Sequence, residues 1–245
     1  MNIQNIIEAG RIMPVIVIDK ARDASALGNA LLEGGIKTAE VTLRTPEALN
    51  AIEAMARACP DLLVGAGTVF SAENAARVRD AGGCFAVSPG ATDALIEGCK
   101  AASLPLLPGA STVSEIMALG EKGFSVLKFF PATAAGGLNF LKALISPLPQ
   151  FQFCPTGGIT FATAPDWLAL GNIPCLGGSW ITPPKLIAEQ NFKAIAENAR
   201  AAGRGGGVEA ERGADRALVL GALHSEVFAA AHRRAAAAAE AHLRP

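Results

Sequence analysis

An α/β fold of the (β/α)8 TIM-barrel class is what the sequence predicts, and three observations predict it. From Val15 onward, short apolar runs recur at near-regular spacing, each bounded by Gly, Pro or Asp and followed by an alanine-rich stretch of helical period. Eight such runs precede the glycine-rich segment near Gly203, more strands than a doubly wound sheet commonly carries. No Gly-x-Gly-x-x-Gly fingerprint follows the first run, where a dinucleotide-binding sheet would place one.

The strands are predicted at 14–18, 38–43, 62–68, 84–88, 104–108, 125–130, 152–155 and 174–178. Several stop at chain breakers: the first at Asp19, the fourth at Pro89-Gly90, the sixth at Pro131, the seventh at Gly157-Gly158. Between them, a helix is predicted over 24–33, ended by Gly34-Gly35. Another is predicted over 46–58, with Thr45 as its N-cap and Pro46 in its first turn. The last barrel helix is predicted over 193–202. Residues 203–207 then read as a glycine-rich linker, and 208–245 as an Ala-, Arg- and Glu-rich extension in which Val219, Leu223 and Val227 recur at helical spacing. The domains are therefore 1–202, a linker, and an appendage that is either solvated or a partner-binding helix.

Composition narrows the partners. At 245 residues and 51% hydrophobic side chains the chain can bury a large core, and a net charge of −1 offers no broad basic face for nucleic acid or an anionic membrane. No apolar run reaches membrane-spanning length and no basic-then-apolar leader opens the chain, so a cytoplasmic location is expected. The five cysteines include no C-x-x-C pair and read as reduced structural thiols.

The chemistry centres on the sixth strand, where Lys128 stands in the apolar run Ser125-Val126-Leu127-Lys128-Phe129-Phe130. A charged ammonium is costly in a buried strand, so it must be paired, reach a solvated cavity, or lose its proton. The neutral amine is a nucleophile that condenses with ketones to a Schiff base. The plainer alternative is an edge-strand lysine that reaches solvent. In the second strand the period of two sets Glu40, Thr42 and Arg44 on one face and Ala39, Val41 and Leu43 on the other, which in a closed barrel turns the polar face inward. In the third, Val64, Ala66 and Thr68 share a face, while Gly65 and Gly67 share the other and are read as room for a helix. The three histidines, His224, His232 and His242, lie beyond the last strand and there is no tyrosine, so acid-base work falls to a carboxylate, the lysine or water. Glu40 is the only carboxylate inside a predicted strand. The seventh and eighth strands end in Gly157-Gly158 and Gly177-Gly178-Ser179, either tight turns or the backbone amides of a phosphate site, which barrels commonly place in these two loops.

Seven motifs in order, Glu40-Val41-Thr42-Leu43-Arg44-Thr45, Gly65-Ala66-Gly67-Thr68, Ser88-Pro89-Gly90, Leu107-Pro108-Gly109, Lys128-Phe129-Phe130-Pro131, Cys154-Pro155-Thr156-Gly157-Gly158 and Gly177-Gly178-Ser179-Trp180, resemble the 2-keto-3-deoxy-6-phosphogluconate (KDPG) and 4-hydroxy-2-oxoglutarate aldolases. The resemblance covers about Ile6 to Arg200. It implies a class I, metal-independent, cofactor-free lyase that acts on a keto acid phosphosugar and assembles as a homotrimer. It further implies that Lys128 forms the Schiff base and Glu40 moves protons, that Arg44 and Thr68 hold the pyruvyl carboxylate, that Gly157, Gly158, Gly177, Gly178 and Ser179 surround the phosphate, and that Phe130 and Pro89 line the pocket. Related phosphogalactonate aldolases are the nearest alternative in the same class. Thr133 departs from the family, which commonly has glutamate there, and leaves two alternatives open: a phosphosugar-binding barrel without turnover, or a barrel used as an assembly scaffold.

Overall fold

The computed structural model describes residues 2–205. The predicted extension, with Val219, Leu223, Val227, His224 and His232, lies outside the described residues. Nine parallel strands are present among those described: β1 Ile12–Ile16, β2 Thr38–Thr42, β3 Leu63–Gly67, β4 Ala86–Val87, β5 Leu106–Leu107, β6 Gly109–Ala110, β7 Val126–Phe129, β8 Gln152–Pro155 and β9 Leu176–Gly178. Of the fifth strand predicted at 104–108 only Leu106–Leu107 is strand, and a further short strand, Gly109–Ala110, follows Pro108, a residue with no N–H to give to a ladder. The order β5-β4-β3-β2-β1-β9 forms one sheet and β6-β7-β8 a second. Together they make a parallel α/β half-barrel. A single bridge, Thr156 to Gly177, joins the end of β8 to β9.

The helices are α1 Ile3–Glu8, α2 Ala24–Glu33, α3 Ala48–Ala58, α4 Ala72–Asp80, α5 Asp93–Ala101, α6 Val113–Glu121, α7 Gly137–Leu144, α8 Ala164–Leu168, α9 Pro184–Ala188 and α10 Phe192–Gly205. Ser71, Thr92 and Thr112 cap α4, α5 and α6, their side chains accepting from the N–H groups of Asn74, Leu95 and Glu115. The predicted start of α3 needs correction. The cap is Glu47, and the Thr45 hydroxyl instead donates to Ile18 O at 2.6 Å, which ties the loop after β2 to that after β1. α10 runs to Gly205, so the first three residues of the predicted linker are helical. Once a helix is formed each further residue adds a hydrogen bond, and glycine slows this without forbidding it. No described helix is long and apolar enough to cross a membrane.

Alternation along the strands sorts the core into layers. Ile12, Ile16, Ala39, Val41, Val64 and Ala66 pack outward with Leu27, Leu31, Ile52 and Met55 of α2 and α3. Leu127, Phe129, Phe153 and Leu176 do the same with Ile116, Leu141 and Trp167. On the opposite face of both sheets, Met13, Phe85, Val87, Leu107, Val126, Cys154 and Cys175 meet Ile6 and Ile7 of α1. All five cysteines are free thiols. Burial pushes Cys99 up to about 11, and the Cys154 thiol, with burial, raises Cys175 well above the ordinary range, so neither offers a thiolate at neutral pH.

The loop leading to α6 is held by one carboxylate. Glu115 Oε2 accepts from Ser111 N at 2.8 Å, Thr112 N at 2.9 Å and Ser111 Oγ at 3.3 Å. The Ser111 amide is the largest cause holding the Glu115 carboxyl below the usual range, against a smaller opposing push from burial. A carboxyl lowered by folding stabilises the fold above its unfolded value, and that contribution is lost as pH falls through the folded value. Glu115→Ala is therefore expected to cost roughly 0.5–1 kcal/mol at neutral pH, because the position is exposed and screened. Denaturant melts from neutral to acid pH should show the gap between parent and variant closing as pH drops below the ordinary carboxylate range.

Candidate active site

Register places the polar residues. Glu40 pairs with Gly65 and Thr42 with Gly67 across β2 and β3, while Lys128 pairs with Gly109 and Cys154 across β6, β7 and β8. Paired residues of parallel strands face the same way, so Glu40, Thr42, Gly65 and Gly67 share the face opposite the α2–α3 layer. The reading of Gly65 and Gly67 as room for a helix is thereby corrected. A Cβ at Gly65 would meet the Phe85 ring, and one at Gly67 would collide with Glu40 Oε1. The missing side chain at Gly67 is the space the Glu40 carboxylate occupies.

Into that space comes Lys128. Its Nζ lies 3.1 Å from Glu40 Oε1, with the two residues only 5% and 2% exposed. Nζ also stands 5.3 Å above the Phe130 ring, within cation–π range. The lysine is thus buried against a carboxylate and is not an edge residue reaching solvent. In a buried pair of this kind each partner offsets the other's desolvation, and removing one strands the other. Proton exchange within the pair would leave a neutral amine beside a carboxylic acid, which is a nucleophile with its acid-base partner in place.

The remaining predicted residues stand around the C-terminal strand ends. Arg44, exposed, donates through Nε to Thr68 Oγ1 at 3.1 Å. Alternation alone would send Thr68 outward with Val64 and Ala66. Its φ of 60° breaks the alternation just past β3, and its hydroxyl meets Arg44 instead. Thr42, of the same polar face, spends its hydroxyl on Ile16 O at 2.8 Å and is structural. Gly157 and Gly158 follow β8 with φ of 107° and 76°, a backbone that side chains resist. A Cβ at Gly177 would strike Thr156 Oγ1, whereas one at Gly178 would strike the Trp180 ring. Gly178 therefore accommodates Trp180, which packs against both outer clusters. Pro89 and Ser179 are exposed beyond β4 and β9, and no described hydrogen bond ties either to the Glu40–Lys128 pair. Thr156, given no role in the sequence although it lies in the Cys154-Pro155-Thr156-Gly157-Gly158 motif, has its hydroxyl buried beside Gly177 with no hydrogen-bond partner among the described residues.

The model of the family described as "Aldolase: KDPG and KHG aldolase" matches residues 3–198. The chain belongs to the KDPG and KHG aldolase family. It is 43% identical over 202 residues to the KHG/KDPG aldolase of Escherichia coli K12, covering 82% of this chain and 95% of that one. A crystal structure of KDPG aldolase from Legionella pneumophila, with pyruvate captured at low pH as a covalent carbinolamine intermediate, is 44% identical with a TM-score of 0.79, covering 81% of this chain and 96% of the other. The aldolase of Zymomonas mobilis ZM4 with 3-phosphoglycerate is 40% identical with a TM-score of 0.78, covering 82% and 94%. Family membership and the buried Lys128–Glu40 pair agree on the chemistry such a site performs.

Proposed function

We propose that this chain is a class I aldolase that cleaves 2-keto-3-deoxy-6-phosphogluconate to pyruvate and glyceraldehyde 3-phosphate, and 4-hydroxy-2-oxoglutarate to pyruvate and glyoxylate. The observation that carries this reading is the lysine–carboxylate pair, 3.1 Å apart and buried, with one partner on β2 and the other on β7. The carbinolamine of the Legionella relative supports the same chemistry, and the 3-phosphoglycerate of the Zymomonas relative supports a phosphorylated three-carbon fragment as a ligand.

The neutral Lys128 amine adds to the C2 ketone, and loss of water gives the iminium. Glu40 takes the proton of the C4 hydroxyl, the C3–C4 bond breaks, and its electron pair flows into the iminium to leave an enamine. The aldehyde departs. Glu40 returns its proton to C3, and water hydrolyses the new iminium to pyruvate and free amine. Arg44 and Thr68 hold the carboxylate beside the ketone. Gly157, Gly158, Gly177, Gly178 and Ser179 receive the phosphate at the other end, and Phe130 and Pro89 line the pocket.

The strands are proposed to close as a (β/α)8 barrel. Only Pro108 separates β5 from β6, and the Thr156–Gly177 bridge joins β8 to β9, so each sheet edge has a neighbour. We place the end of the catalytic unit after α10, and infer a homotrimer from the family pattern.

A pyruvate-release assay on both substrates tests the activity, and one variant tests the carboxylate end. Arg44→Ala is expected to lower kcat/KM about ten- to a hundredfold on both substrates, the worth of a charge-assisted hydrogen bond, because both carry a carboxylate next to the ketone. A loss confined to the phosphorylated substrate would move Arg44 to the other end of the pocket.

A further inference from the structure

We infer that Thr133, in the loop after β7, is a positioning residue that fixes the direction of the Gly157–Gly158 amides and so sets how well this site accepts a phosphate. This rests on the phosphate assignment proposed above. Past the ends of β7 and β8 the two loops stay linked. Ala132 N donates to Thr156 O at 2.9 Å and Thr133 N to Gly157 O at 3.1 Å. The Thr133 hydroxyl adds a second donor to the same Gly157 oxygen, at 3.2 Å. Its side chain also lies over the Gly158 α-carbon, so that a Cβ there would collide with Thr133 Oγ1.

A trans peptide is planar, with its C=O and N–H pointing opposite ways. Pinning the Thr156 and Gly157 carbonyls towards the β7 loop therefore aims the Gly157 and Gly158 N–H groups away from it. That direction is the side on which Thr156 bridges Gly177, between the two glycine loops. Two successive amides directed to one place can converge on an anion. The clamp is needed because the Gly157–Gly158 unit has no side chains of its own, and glycines rotate their peptide planes at little cost. The main-chain bonds would form with any residue but proline at 133. The second donor and the compact branched cover over Gly158 belong to threonine.

The test compares Thr133→Val, which keeps the shape and removes the donor, with Thr133→Ser, which keeps the donor. For the valine variant, KM for the phosphorylated six-carbon substrate should rise about fivefold, the worth of one hydrogen bond, with kcat little changed. Turnover of 4-hydroxy-2-oxoglutarate should hold within about twofold, since it brings no phosphate to the loop, and the serine variant should stay near the parent. Unchanged KM in the valine variant, equal losses on both substrates, or a serine variant as impaired as valine would overturn the inference. Competition by inorganic phosphate in the parent separates the two levels. Its absence removes the phosphate assignment and this inference together, whereas its presence with an unmoved valine variant removes the inference alone.

Discussion

Lys128→Arg is expected to lower turnover by roughly four powers of ten or more on both substrates, because a guanidinium stays protonated and cannot condense with a ketone. Arginine is the informative replacement. It keeps a cation beside Glu40, whereas Lys128→Met would leave that carboxylate buried and alone at a cost of about 3–5 kcal/mol, confusing lost chemistry with lost fold. Borohydride reduction with pyruvate should add mass to the parent at Lys128 and nothing to the variant. An adduct mapped to Lys20 or Lys142 in the parent would remove Lys128 from its assigned role.

Glu40→Gln should cost about two to four powers of ten in kcat, the range for a lost general acid-base. Its signature is a split between steps. Pyruvate should still give a reducible adduct at Lys128, while exchange of its C3 hydrogens with deuterated water slows in parallel with kcat. Gly67→Ala should reproduce part of this loss with Glu40 intact, since the added methyl occupies the space of the carboxylate and must push it off the lysine. Unchanged C3 exchange in the glutamine variant would assign the proton transfer to another group.

Local pattern carried the elements far. The helix at 24–33 and the strand at 152–155 were legible to the residue, since each is an uninterrupted periodic run with breakers after it. Alternation also put Glu40 on the polar face of its strand, the face that a closed barrel turns inward. What a sequence period cannot carry is the identity of the neighbour. Gly65 and Gly67 plainly made room for something, but only the pairing of Glu40 with Gly65 and Thr42 with Gly67 reveals that the guest is a carboxylate and not a helix. The resemblance set Thr68 beside Arg44 although strand parity sent it out with Val64 and Ala66, and the left-handed backbone that reconciles the two leaves no mark in its residue type. Thr133 stood out in the sequence and Thr156 lay within a recognised motif, but their partners did not, because each meets a loop more than twenty positions away.

Ile6 and Ile7 of the first helix pack with Met13, Val126, Cys154 and Cys175, an apolar cluster on the strand face that carries the lysine and towards the N-terminal ends of β1 and β7. With that end filled by side chains, the proposed reaction would receive its substrate from the C-terminal strand ends. The pyruvyl fragment, bonded to Lys128 until hydrolysis, would then be the deeper of the two, so that the aldehyde leaves first and pyruvate last, and the reverse condensation would load pyruvate on the lysine before the aldehyde enters.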